Sequence, residues 1–105
     1  MAYSYYTKYT LEVQRGSNDL IQELRLDYQF AEHSIDAFGQ PTFRTKWYEH
    51  ETDLKLFSSK HPEALFMLRT ESRDGQSWRY YHENGKMQAC KGVITYPQFN
   101  SDLLV

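Results

Sequence analysis

Four histidines, one cysteine and fourteen carboxylates are the side chains whose chemistry matters first in this 105-residue chain. His33, His50, His61 and His82 stand among many acids, and His50-Glu51-Thr52-Asp53 is locally dense. A metal site needs ligands that converge. On a helix those neighbouring side chains diverge, and the chain has neither a His-Glu-x-x-His pattern nor a closely spaced Cys/His pair. No metal or cofactor is therefore expected. Cys90 and His82 fall in neighbouring strand segments, but their register puts them on opposite faces, so the imidazole has no route to the thiol. Ser58 and Ser59 lack a Gly-x-Ser-x-Gly turn, there is no glycine-rich phosphate loop, and no acid–base pair stands out among the carboxylates. The expectation is a protein that is not an enzyme.

The elements that must position any site follow from periodicity. Tyr3, Tyr5, Thr7, Tyr9, Leu11 and Val13 alternate with polar residues, which predicts a strand with one buried face. Arg15-Gly16-Ser17 ends it, and Ser17 is a candidate helix cap. Across residues 18–38, Leu20, Ile21, Leu24, Tyr28, Ala31, Ile35 and Phe38 fall within one arc of roughly 100°. This predicts one long helix closed by Gly39 and Pro41. A competing reading takes Leu24–Phe30 as a short strand. Thr42–Tyr48 is a possible edge strand. A second helix is expected from His50 to about Lys60, with Trp47 or Tyr48 as its staple and Pro62 as its stop. Strands are then expected at Ala64–Glu71, Ser77–Glu83 and Lys86–Tyr96.

Asn84-Gly85 is the strongest hairpin signal in the chain and fixes a register. Glu83 opposes Lys86, His82 opposes Met87, and Tyr80 opposes Ala89. Trp78, Tyr80, Met87 and Ala89 then share the core face. Together these elements predict a single α+β domain over residues 1–105. An N-terminal strand and a C-terminal three-stranded meander form an antiparallel sheet, with one long and one short helix on one face.

Charge narrows the function. The net charge is −2; residues 1–52 carry 5 basic and 8 acidic groups, and residues 53–105 carry 7 and 6. No basic footprint for nucleic acid is visible. The acids concentrate in residues 18–38, where Asp19, Glu23, Asp27, Glu32 and Asp36 face only Arg25. Leu26 and Phe30 point away from the apolar arc into this acidic face, the pattern of a desolvated anchor with an electrostatic guide. Nine tyrosines add to the case for an interface, because tyrosine offers large contact area at low rotamer cost. The outward-facing Tyr6, Arg79 and Tyr81 form a secondary candidate surface, which an alternative reading assigns to single-stranded nucleic acid. A homodimer is the third reading. No apolar run approaches the roughly 18 residues of a membrane span. The first residues lack the apolar core of a signal peptide, so a cytoplasmic location is expected.

From Trp47 onward the chain resembles small proteins of unassigned function carried by phages, prophages and mobile elements. The resemblance lies in Trp47-Tyr48-Glu49-His50-Glu51-x-Asp53-Leu54-x-x-Phe57-Ser58, then His61-Pro62-Glu63-x-Leu65-Phe66-x-Leu68. It continues in Asp74-x-x-x-Trp78-x-x-Tyr81-x-x-Asn84-Gly85-Lys86-x-Gln88, and covers about half the chain. Arg69 and Arg73 depart from the more acidic segment of such proteins. The resemblance implies an accessory protein inside a bacterium that binds and blocks or modulates a host protein. A defence nuclease is one such target, which would make the chain anti-CRISPR-like. The residues expected to carry this are Asp19, Glu23, Leu26, Asp27 and Phe30.

Overall fold

The computed structural model describes residues 7–42, 46–72 and 75–92. In chain order the elements are β1 (Thr7–Arg15), α1 (Asp19–Asp27), α2 (Gln29–Ser34), α3 (His50–Lys60), β2 (Leu65–Ser72), β3 (Ser77–Glu83) and β4 (Lys86–Lys91). The strands form one antiparallel sheet in the order β1-β2-β3-β4. This is the α+β arrangement that the alternation and the hairpin signal imply. Among the described residues, no helix is long and apolar enough to cross a membrane.

The sheet register follows from local chemistry. Asn84 and Gly85 both have positive φ, 49° and 78°, as a two-residue hairpin turn requires. Glu83 pairs with Lys86, His82 with Met87 and Tyr80 with Ala89. Continuing across the sheet, Leu11, Leu68 and Tyr80 form one inward row, and Val13, Phe66 and His82 the next. Helix residues Ile21, Leu24, Ala31, Leu54 and Phe57 close over these rows with Trp47, and all six are buried. An ion pair between Arg15 and Glu83 ties the end of β1 to β3.

The segment expected to be one long helix is divided. Tyr28 is extended (φ −131°, ψ 116°) and ends α1 while starting α2. Its N–H bonds the Leu24 carbonyl at 3.0 Å, and its carbonyl receives the Glu32 N–H at 3.1 Å. Its ring meets Phe57 edge-on at 6.4 Å, a contact with α3 that a straight helix has no reason to favour. The short-strand reading of Leu24–Phe30 thus survives only as one extended residue. The helical run stops at Ser34, not at Phe38. Ile35 is extended, bridges Pro41 and is buried, while its carbonyl accepts from Arg25 Nε at 2.9 Å. Asp36 Oδ1 then accepts the backbone N–H groups of Phe38 and Gln40, which stabilises a turn in place of a last helical turn. Phe38, placed in the core arc by periodicity, is 81% exposed as a result.

The helix cap is Asn18, one residue after the expected Ser17, whose Oγ still accepts the Asp19 N–H at 3.1 Å. The expected second helix is found at His50–Lys60. Trp47 is no surface staple but a core residue. The possible edge strand at Thr42–Tyr48 is not formed by its described residues, and the extension of β4 toward Tyr96 lies outside the described residues.

Gly39 closes the fold against β1. Its carbonyl accepts the Leu11 N–H at 2.8 Å, its φ is +81°, and a Cβ there would stand 2.0 Å from the Leu11 carbonyl oxygen. Gly39→Ala combines a disfavoured φ with a backbone clash, so urea unfolding is expected to show a loss of about 3 kcal/mol or more. Gly85→Ala shares the positive φ, but its Cβ would meet its nearest neighbour at an ordinary 3.4 Å. It is expected to lose only about 1 kcal/mol in the same assay.

Candidate functional site

The segment read from the sequence as one acidic helical face departs from that reading in two respects. On α1, Ile21 and Leu24 point into the core, which turns Leu26 outward between acidic neighbours. Leu26 is 77% exposed and Phe30 is 56% exposed. Burying side chains of that size against a partner would add about 1.5–3 kcal/mol each, a gain that the fold itself leaves unused. The first change is that the break at Tyr28 puts Leu26 in the last turn of α1 and Phe30 in the first turn of α2. The second concerns charge. Glu23 Oε1 lies 3.3 Å from His61 Nε2, and Asp36 Oδ1 accepts two backbone N–H groups of its turn. Asp19, Asp27 and Glu32 have no ion-pair partner among the described residues. Arg25, the only base of the segment, bonds Gln22 and the Ile35 carbonyl. Of the five carboxylates, Asp19, Asp27 and Glu32 are thus the ones with neither an ion-pair nor a turn contact among the described residues.

The secondary surface lies on the opposite side of the sheet. Tyr6 lies outside the described residues. Tyr81 is half-buried between Met67 and Gln88 in register, and Arg79 is exposed between Arg69 and Cys90. Arg69 meets Glu71 at 3.3 Å. Cys90 and His82 do lie on opposite faces, since Cys90 shares a row with Arg79 and His82 shares one with Met87. Among the described residues, no three His, Cys, Asp or Glu side chains are grouped to hold a metal ion.

The feature sequence reasoning missed is two histidine environments, the half-buried His50 at the start of α3 and the buried His82 on β3. His82 is completely buried, and neither of its ring nitrogens has a hydrogen-bond partner. The His50 ring packs edge-on to Tyr80 at 4.7 Å and near Tyr9 and Trp47, with Nδ1 buried and unpaired. Period-two alternation from Tyr80 puts His82 inward, and that is the only signal the sequence offered. Burial, then the neighbouring His50 and Lys55, push the His82 pKa down to about 4. Burial likewise lowers that of His50, against the pull of Glu51 and Asp53. A buried imidazole without a partner costs stability rather than adding it.

The chain matches no protein-family model, no curated protein and no solved structure.

Two measurements separate surface from core here. Leu26→Ala and Phe30→Ala are each expected to change unfolding free energy by less than about 0.5 kcal/mol, whereas Leu24→Ala loses about 2–5 kcal/mol. Comparable losses in all three would make Leu26 and Phe30 core residues. The second concerns pH. Unfolded His82 takes up a proton near the ordinary imidazole value of 6.5, while the folded residue resists until about 4. Its contribution is therefore flat above neutral pH. Below about 6.5 it costs up to about 1.4 kcal/mol per pH unit, levelling off near the folded value. Thermal melts from pH 7.5 to 4.5 should show this slope, and His82→Leu should flatten it.

Proposed function

We propose that this chain is a non-enzymatic accessory protein of the phage type that binds a host protein and blocks it. Its α1–α2 face docks on a basic surface of the target. The observation that carries this reading is the exposure of Leu26 and Phe30 beside carboxylates with no ion-pair partner among the described residues. Asp19, Asp27 and Glu32 supply the long-range attraction that steers encounter, and Leu26 and Phe30 supply the contact that loses water on docking. Glu23, held by His61, shapes the rim rather than reaching across it. The chemistry that complements such a face is a groove lined by Lys and Arg, the kind that holds nucleic acid in a nuclease. Occupying it would inhibit a defence nuclease by competition, in the manner of an anti-CRISPR protein.

A second reading has one specific observation behind it. Arg79 stands directly opposite Arg69 in the sheet register, one step from Tyr81. Like charges facing each other across strands are unfavourable; Glu71 meets Arg69 at 3.3 Å, which leaves Arg79 as the charge an external anion would offset, and an aromatic ring beside it suits a stacked base. Single-stranded nucleic acid on the outer sheet face is the ligand this arrangement would take.

Capture from bacterial lysate with and without nuclease treatment separates the two. The inhibitor reading expects one stoichiometric protein partner that survives nuclease. Leu26→Ala/Phe30→Ala should weaken its retention at least tenfold, about 1.4 kcal/mol, and Tyr81→Ala should not. Retention unaffected by the double variant, or recovery of nucleic acid that Tyr81→Ala abolishes, overturns it.

A further inference from the structure

The turn that follows α2 holds one side chain away from the molecule. Asp36 Oδ1 accepts the N–H groups of Phe38 and Gln40 at 2.8 and 3.0 Å, and the Asp36 N–H donates to the Gln40 carbonyl at 2.8 Å. The Gly39 N–H donates to the Asp36 carbonyl at 3.0 Å, and the Gly39 carbonyl is fixed in turn on the Leu11 amide. Ile35 and Pro41 close the base of the turn. Phe38 stands at its tip, the most exposed large apolar side chain among the described residues. Its backbone is set before any contact is made, so docking the ring orders little further chain.

Phe38 also borders a hollow of about 350 Å³. The buried Leu11, Ile21 and Met67 and the half-buried Val13 supply its apolar lining. Glu12 and Arg69 add one charge of each sign. Glu12 has no ion-pair partner among the described residues, and the ion pair of Arg69 is with Glu71, at 3.3 Å. The hollow lies at the low end of the roughly 300–1,000 Å³ of ligand pockets, which suits one aromatic side chain.

A knob and a socket side by side are what a two-fold symmetric pair needs, because each copy must offer the same patch to the other. We infer that the Phe38 turn is the interface of a homodimer: Phe38 of each copy enters the hollow of the other, and Glu12 of each copy meets Arg69 of the other. The charges choose a second copy over an unrelated partner. One acid and one base on the same lining complement themselves under a two-fold rotation, whereas a lining of one sign would call for a partner of the other. A net charge of −2 opposes the pairing only weakly. The Leu26–Phe30 face, set among carboxylates, repels its own copy, so dimerisation leaves it free and does not depend on what it binds. Two aromatic rings bury about 150–250 Å² each, which falls short of the roughly 1,200 Å² where stable interfaces begin unless the surrounding turn and strand join in. The dimer is therefore weak and reversible.

Sedimentation equilibrium of the full chain, from about 5 to about 500 μM, tests this, with a dissociation constant of about 100 μM or tighter expected. The average mass should rise with concentration from that of the monomer toward twice that value. Phe38→Ala should weaken the dimer by about tenfold or more while leaving the thermal midpoint of the dilute monomer in place, because the ring lies in solvent there. Glu12→Arg and Arg69→Glu should each weaken it by about threefold or more, and the two together should restore it, since exchanging the signs rebuilds both pairs. Leu26→Ala/Phe30→Ala should leave the dissociation constant unchanged. A mass that stays monomeric throughout, a dimer that Phe38→Ala leaves intact, or a double charge exchange no better than either single one overturns the interface.

Discussion

The two hydrogen bonds of Trp47 hold the layers of this protein together. Its backbone N–H donates to the Tyr9 hydroxyl at 3.0 Å, and its indole N–H donates to Asp53 Oδ2 at 2.8 Å. One residue on a connecting segment thereby fastens the first strand to the last helix. The ring between those bonds is fully buried and meets Tyr9 edge-on at 5.7 Å. An indole is placed inside only where its N–H finds an acceptor, and Asp53 in the first turn of α3 provides one while also favouring the helix dipole. Burial raises the Tyr9 pKa despite the bond from Trp47, so this hydroxyl stays protonated at any ordinary pH. Because α3 is set here, the position of His50 against Tyr80 follows from the same anchor.

The acidic face depends on a different constraint. Division of the helical segment at Tyr28 lets that ring reach Phe57 on α3. It also lets Ile35 turn into the core and pair with Pro41. The outward residues pay no penalty for the break, since Leu26 and Phe30 remain in solvent on either side of it. Core and surface of this segment are thus specified separately: the inward residues decide where the chain bends, and the outward ones are left to meet a partner.

How much of this was legible in the sequence varies with how local each determinant is. The β3–β4 register was, because Asn84-Gly85 sets a turn and period two does the rest. So was α3, bounded by Pro62 and marked by Leu54 and Phe57. The bend at Tyr28 was not. Leu24, Tyr28 and Ala31 keep helical spacing straight through it, and its cause is a ring on another helix. Phe38 misled for the same reason, since the turn built on Asp36 removes it from the arc its spacing implies. Leu26 and Phe30 were legible as outward-facing, but the engagement of Glu23 by His61 was not, because His61 is remote in sequence. The inward direction of His82 followed from alternation; its lack of any hydrogen-bond partner is a property of the packed core alone.

The Gly39 contact has a consequence for the molecule in company. Among the described residues β1 is one rim of the sheet, and a rim presents a row of amides on which another chain can assemble as a further strand. Halfway along that rim, the Leu11 amide is already taken by the Gly39 carbonyl. A stranger's strand cannot run the length of β1 without first displacing a peptide of the chain's own turn. The residue that lets two backbones come so close therefore also closes the template in its middle.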